Sequence, residues 1–264
     1  MSTDPPAPTH RIAVVESDPE LRAGSEAWER LAAELGRAQP DLLILNELPF
    51  GPWLAARERF DGDAWEASIA DHEAAIAALP QLGPPAVIGT RPAVLEGRRC
   101  NQAFVWTREA GLSYPHTKQH IPDSPGYRET TWTAPGPQRF GTVDLGSLRA
   151  GILICTDIMF TEHARAYGRA GVHLIAVPRA TPPGAAAIFD AALRMTAIVS
   201  GCYVATSNRG GRDSAGERFG GRGGVYDPLG DPVTQTSSRQ RLRLHEIDTG
   251  YVAWKQTVYP CNVE

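Results

Sequence analysis

At 264 residues, with 42% hydrophobic and 21% charged residues, the chain can bury a sizeable core and has the make-up of a globular protein. A net charge of −4 leaves no basic footprint for nucleic acid, and no apolar run approaches a membrane span, so the expected partner is a small molecule. The four cysteines (Cys100, Cys155, Cys202, Cys261) are widely spaced without a C-x-x-C pair, which argues against a disulfide framework and a zinc site; no metal and no cofactor are expected.

Residues 1–10, MSTDPPAPTH, lack the charged and apolar regions of a signal peptide and read as a disordered tail, so the expected home is cytoplasmic. Ile12 to Val15 is a short strand, and Glu20 to Arg37 carries Leu21, Trp28, Leu31 and Leu35 at helical spacing. Leu42 to Leu45 is a strand ending in Asn46-Glu47, before Pro49, Gly51 and Pro52 break the backbone. Ala64 to Leu79 is a helix, Ala86 to Gly89 a strand, and Ala103 to Tyr114 a hairpin leading to Lys118. Residues 119–137 hold four prolines and form an irregular loop, of the kind that is usually functional in a compact domain.

Gly151 to Ile154 is a buried strand, Glu162 to Gly171 a helix and Val172 to Val177 a second strand. That crossover presents Cys155 at the carboxyl end of a strand, the edge where open α/β sheets place their chemistry. Ala186 to Ser200 is a helix, Tyr203 to Thr206 a strand, Gly220 to Gly230 a hairpin region and Leu242 to Ile247 a last strand. With no linker in sight, residues 11–264 form one α/β domain with a mixed sheet, or two sheets back to back.

Glu47, Lys118 and Cys155 each stand just past a strand, so one crevice can gather all three. A cysteine attacks as thiolate and needs a base or a cation nearby. A glutamate can take its proton, and an ammonium can steady a developing oxyanion. Each residue also has a plain reading: an inert core thiol, a solvated carboxylate, a surface charge. Of the seven histidines, His163 lies eight residues past Cys155, which leaves a Cys–His pair open, although no third orienting residue is evident.

Three stretches, DLLILNELPF, YPHTKQHIPDSPGYRETTWTAPG and GILICTDIMFTEHARAYGRAGVHLIAVP, resemble in order and spacing the carbon–nitrogen hydrolase (nitrilase) superfamily. The likeness runs from Arg11 to about Asp248, and the loop HIPDSPGYRE is most similar to the N-carbamoylputrescine amidase branch. It implies a four-layer αββα sandwich, with two mixed sheets flanked by helices, that pairs into homodimers or higher homo-oligomers. Residues 249–264 would be a C-terminal extension used in dimer contacts. It also implies a catalytic set of Glu47, Lys118, Glu129 and Cys155, with the Thr156 N–H as an oxyanion donor and a thioester intermediate.

The sequence departs from the family pattern in places that bear on substrate. Thr156-Asp157 follows the cysteine where nitrile-hydrolysing branches have Trp-Glu, which favours an amide. Ile158 and Met159 stand where N-carbamoyl amino acid hydrolases carry two arginines, and an apolar wall there disfavours a free α-carboxylate. Trp53, Tyr127, Met159, Phe160 and Arg179 are the candidate substrate-binding residues. The expected activity is hydrolysis of a small non-peptide amide or N-carbamoyl compound, against nitrile hydrolysis, amide-forming acyl transfer, or a non-catalytic binding role.

Overall fold

The computed structural model describes residues 8–263. In chain order its strands are β1 (Thr9–Ser17), β2 (Leu42–Ile44), β3 (Ala86–Leu95), β4 (Arg98–Thr107), β5 (Gly111–Ser113), β6 (Asp123–Ser124), β7 (Tyr127–Arg128), β8 (Thr142–Leu145), β9 (Leu148–Ile152), β10 (Leu174–Arg179), β11 (Tyr203–Arg212), β12 (Arg218–Gly220), β13 (Gly224–Tyr226), β14 (Pro232–Gln235) and β15 (Leu242–Asp248). The helices are α1 (Glu26–Ala38), α2 (Gly62–Ala78), α3 (Glu129–Trp132), α4 (Thr161–Arg169), α5 (Ala186–Ser200) and α6 (Thr249–Lys255).

Alternation along β1 explains the layers. Ile12 and Val14 point to one face, where they join Leu42, Ile44, Ile88 and Val105 and meet Ala150, Ile152, Leu174 and Ala176 of the other half-sheet. Ala13 and Val15 point to the other face, against Trp28 and Leu35 of α1 and Ala75 and Ile76 of α2. One sheet runs β5-β4-β3-β2-β1, continues through β11-β10-β9-β8, and curls so that its halves face each other. β1 joins the halves only at its end, pairing Glu16 with Asn208 and Ser17 with Arg209. The helices α4 and α5 cover the second half-sheet, through Ala164, Tyr167, Leu193 and Ala197, which completes an αββα sandwich. No described helix is long and apolar enough to cross a membrane.

Where strands β2, β1, β11, β10 and β9 pair with one another they run parallel, so their carboxyl ends share one edge. The crossover at the centre of the second half is β9–α4–β10, with Ala150 opposite Leu174. Gly151 is required there: a Cβ would lie 2.8 Å from the Tyr167 ring, whose hydroxyl donates to Ile152 O at 3.0 Å.

Four expectations change in detail. The first helix starts at Glu26 rather than Glu20, because the Ser25 side chain accepts the Trp28 N–H and caps it there, while Leu21 pairs with Phe50 as a bridge. Ala86 to Gly89 is the beginning of a ten-residue strand that pairs along its length with β4, a hairpin turned at Glu96-Gly97. The 119–137 loop holds the small hairpin β6–β7 and the single turn α3. The tail ends earlier than residue 10, since Thr9 and His10 pair with Asp248 and Ile247; residues 1–7 lie outside the described residues.

Candidate active site

The four residues of the expected catalytic set come to the shared carboxyl edge. Glu47 follows β2, and its Oε2 accepts the Ala180 N–H at 3.2 Å beyond the end of β10. Lys118 lies on a segment running beside β4, held by its N–H to Asn101 O at 2.9 Å and by a bridge between Gln102 and Thr117. Its Nζ donates to Glu47 Oε1 at 2.7 Å and to Glu129 Oε2 at 2.5 Å, and neither Lys118 nor Glu47 is exposed to solvent. Asn101, which sequence reasoning missed, donates from Nδ2 to the same Glu47 Oε1 at 2.8 Å. Nothing in the apolar pattern of β4 singles it out; only the register beside Lys118 does.

Burial works against the charge on Lys118, but Glu129 and then Glu47 outweigh it and hold the ammonium above its ordinary value. Glu129 is raised, first by burial and then by the like charge of Glu47, with Lys118 opposing. Cys155 is 3% exposed, and its thiol is raised well above the usual range by burial and by Glu47, with Lys118 pulling the other way. At rest the Cys155 thiol is therefore neutral. The charges of Glu47, Lys118 and Glu129 all act on it, and the Ala180 N–H ties Glu47 to the end of β10.

Cys155 has φ +49°, in the left-handed region that non-glycine residues rarely adopt, at the start of the 3₁₀ turn Cys155–Met159. The turn leaves its first N–H groups without carbonyl partners of its own, and Thr156 stands second in it. Asp157 anchors the turn. Its carboxylate accepts the N–H of Ile154 at 3.2 Å, of Gln119 at 3.2 Å and of His120 at 2.9 Å, and His116 Nε2 donates to it at 2.8 Å. His116 Nδ1 accepts the Phe140 N–H at 2.9 Å, which assigns the proton to Nε2. Asp157 thus binds the cysteine turn to the lysine segment. Its position two residues after the cysteine was visible in the sequence, but its role was not.

Burial raises the Asp157 carboxyl, yet the hydrogen bonds from His116 and the His120 N–H, with the charge of Lys118, outweigh it and the group sits below its ordinary value. A depressed carboxylate contributes stability that is present above the unfolded value near 3.9 and lost as pH falls through the folded one. Asp157→Asn is expected to cost about 3 kcal/mol at pH 7, as the rearranged amide turns a donor toward N–H groups. The gap from wild type in thermal melts should close as pH falls below about 4. A gap that stays constant with pH would remove the carboxylate from this account.

The expected substrate-binding residues divide. Trp53, buried and donating from Nε1 to Gly126 O at 3.2 Å, stacks obliquely on Tyr127 at 5.8 Å in a cluster with Trp132, Ala180 and Phe219. Tyr127 has a buried hydroxyl without a partner among the described residues, and burial raises it above its ordinary value. Met159 is half-buried against the main core, and Phe160 is exposed, stacked on His120 at 3.5 Å. Arg179 is buried: it donates to Thr206 Oγ1 at 3.0 Å, Thr181 Oγ1 at 2.6 Å, Gly221 O at 3.3 Å and Arg222 O at 2.6 Å, with no carboxylate partner among the described residues. These bonds make it a strut between β10, β11 and the loop before β13. His163 lies away from a pairing with the cysteine: its Nε2 meets His120 Nε2 at 3.0 Å and its ring stacks on Phe140.

A curled αββα sandwich that brings a lysine clamped by two glutamates and a cysteine of positive φ to one sheet edge is the arrangement the comparisons place in a class of hydrolases. The Carbon-nitrogen hydrolase family profile matches residues 11–256, and the chain belongs to this family, within the nitrilase superfamily. Among curated proteins it is 29% identical over 169 residues to an omega-amidase of Mus musculus, covering 61% of this chain and 60% of that one. It is 32% identical over 136 residues to a deaminated glutathione amidase of Bos taurus, covering 50% of this chain and 40% of that one. The chain thus spans between two fifths and three fifths of these two relatives. Among solved structures, a carbon-nitrogen hydrolase from Helicobacter pylori superposes with a TM-score of 0.82 at 20% identity, covering 96% of this chain and 94% of that one. An amidase from Nesterenkonia sp. superposes with a TM-score of 0.74 at 18% identity, covering 92% of each chain.

Proposed function

We propose that this protein hydrolyses a small non-peptide amide or N-carbamoyl compound through a thioester on Cys155. The observation that carries the reading is the fully buried ammonium of Lys118, held between Glu47 and Glu129 next to a cysteine whose thiol is pushed up and so needs a base. Glu47 takes the proton of Cys155 as the sulfur bonds to the carbonyl carbon. Lys118 and the Thr156 N–H meet the oxyanion, and Glu47 returns its proton to the departing ammonia or amine. Water then attacks the thioester with Glu47 as base, which releases the acid and restores the thiol. Glu129 keeps Lys118 charged and in place.

Two curated relatives bear amidase names, which supports amide rather than nitrile chemistry, as does Thr156-Asp157 after the cysteine. The same reading carries the expectation of a homodimer. Ile188 and Met195 on α5, and Trp254 and Tyr259 after it, leave apolar side chains in solvent for a second copy of this chain to cover.

The test is ammonia release from matched panels of primary amides, N-carbamoyl compounds and nitriles, with iodoacetamide labelling followed at each cysteine. Turnover on amides but not nitriles is expected, with Cys155 labelled faster than Cys100 or Cys202. A flat panel together with equal labelling of all buried thiols would overturn the reading in favour of a silent binding protein.

A further inference from the structure

Beside the site, the turn from β11 through β12 to β13 opens two clefts that share Gly220, Arg222 and Gln235. The larger, about 890 Å³, is lined by Arg212, Arg218 and Arg222, with Glu16 as its one carboxylate. The smaller, about 390 Å³, adds Arg179 and Arg194, with Asp190 as its one carboxylate. Both carboxylates are already committed. Glu16 is buried and accepts the Arg222 backbone N–H at 3.1 Å, while Asp190 accepts Arg194 Nε at 2.8 Å and the Tyr226 hydroxyl at 2.9 Å.

Among the described residues, Arg212, Arg218 and Arg222 form no ion pair. In a chain of net charge −4, three guanidinium groups against the one carboxylate of Glu16 leave the larger cleft net positive. A second observation points the same way. Thr236, which lines the larger cleft and is 3% exposed, has a buried hydroxyl oxygen with no hydrogen-bond partner among the described residues. A buried hydroxyl left unmade is costly, and one on a residue of a cleft lined by three guanidinium groups suits a ligand that accepts hydrogen bonds.

We propose that the joined clefts bind a small molecule bearing an oxyanion, a phosphate or a carboxylate, against Arg218, Arg222 and the Thr236 hydroxyl. Guanidinium forks match both groups in a bidentate fashion, which makes arginine the fitting residue. The place adjoins the catalytic groups. Phe219, between the two arginines, packs on Trp53 at 6.3 Å, and Arg179 holds the Arg222 carbonyl while its own carbonyl accepts the Glu47 N–H at 3.3 Å. The oxyanion is therefore either the far end of the substrate or a separate effector. The proposal stands on charge and an orphan hydroxyl, and does not need the hydrolase reading.

The test is calorimetric titration of the full chain with inorganic phosphate and with succinate, against sodium chloride at matched ionic strength. Saturable binding is expected, weakened at least about tenfold in Arg222→Ala and in Arg218→Ala, and several-fold in Thr236→Val. Arg108→Ala, a remote surface change, should leave it intact. Absence of binding above chloride, or binding that ignores these substitutions, overturns the proposal whether or not amides are turned over. Where an amide substrate is in hand, competitive inhibition by the anion, lost in Arg222→Ala, assigns the cleft to the substrate's own end. Non-competitive inhibition with the same loss assigns it to an effector.

Discussion

Cys155→Ala is expected to lower amide turnover by about 10⁵-fold or more, while the protein still retains substrate detectable by native mass spectrometry. The reason is that the scheme has one covalent centre, and the surrounding charges can bind and polarise an amide but cannot form the thioester. Glu47→Gln should lose about 10³-fold, the share of a positioned base, and it isolates the role of the carboxylate. The thiol of Cys155 is held well above its ordinary range, by burial first and Glu47 second. Its thiolate fraction is therefore small at neutral pH and grows as pH rises. Glu47→Gln also removes the charge that holds the thiol up, so iodoacetamide labelling of Cys155 in this variant should begin to rise at a lower pH than in the wild type even as turnover falls. Turnover at the wild-type rate in Glu47→Gln would mean that the carboxylate is not the base.

Lys118→Met is expected to damage stability as well as activity. The buried ammonium answers two carboxylates at 2.7 and 2.5 Å; its removal leaves Glu47 with only the neutral donors Asn101 and the Ala180 N–H and, among the described residues, leaves the Glu129 carboxylate with no donor. Breaking a buried pair in this way costs about 3–5 kcal/mol. The sign with pH follows from Glu129, which is already raised by burial and by Glu47 while Lys118 opposes the rise. Without Lys118 it rises further, so the folded state holds protons that the unfolded chain has lost above about pH 4.5. Stability of the variant should then fall as pH climbs from 5 toward 8, by about 1.4 kcal/mol per pH unit for each proton retained. Thermal melts at pH 5, 6, 7 and 8 test this, with turnover down about 10³-fold where the protein is folded. A melting point within about 2 °C of wild type and flat across that range would show that the two carboxylates do not depend on this lysine.

Much of the fold follows from local pattern. The α5 bounds, Ala186–Ser200, the crossover around Cys155 and the strands β1, β2, β9 and β10 all announce themselves through apolar spacing, which acts over a few residues. The errors lie where something non-local or a single cap decides. Leu21 has helical spacing to Trp28, yet Ser25 starts α1 and Leu21 pairs with Phe50 instead. The long β3–β4 hairpin was cut short because Arg98, Arg99 and Asn101 interrupt the apolar run; β4 lies beside the Lys118 segment, where a polar Asn101 has Glu47 to bond.

By itself the sequence determined which residues stand at the carboxyl ends of strands, and, through its likeness to the carbon–nitrogen hydrolases, which four of them to watch. Only the tertiary structure decided that Asp157 binds the cysteine turn to the lysine segment, that Arg179 braces β10 against β11 and the loop before β13, and that Arg218, Arg222 and Thr236 line one cleft. The physical reason is range. Strand and helix patterns are written in neighbours a few residues apart, whereas Glu47, Lys118 and Glu129 meet because a curled sheet brings distant chain segments to one edge. Whether a buried charge there is neutralised depends on ångström distances that no local pattern encodes.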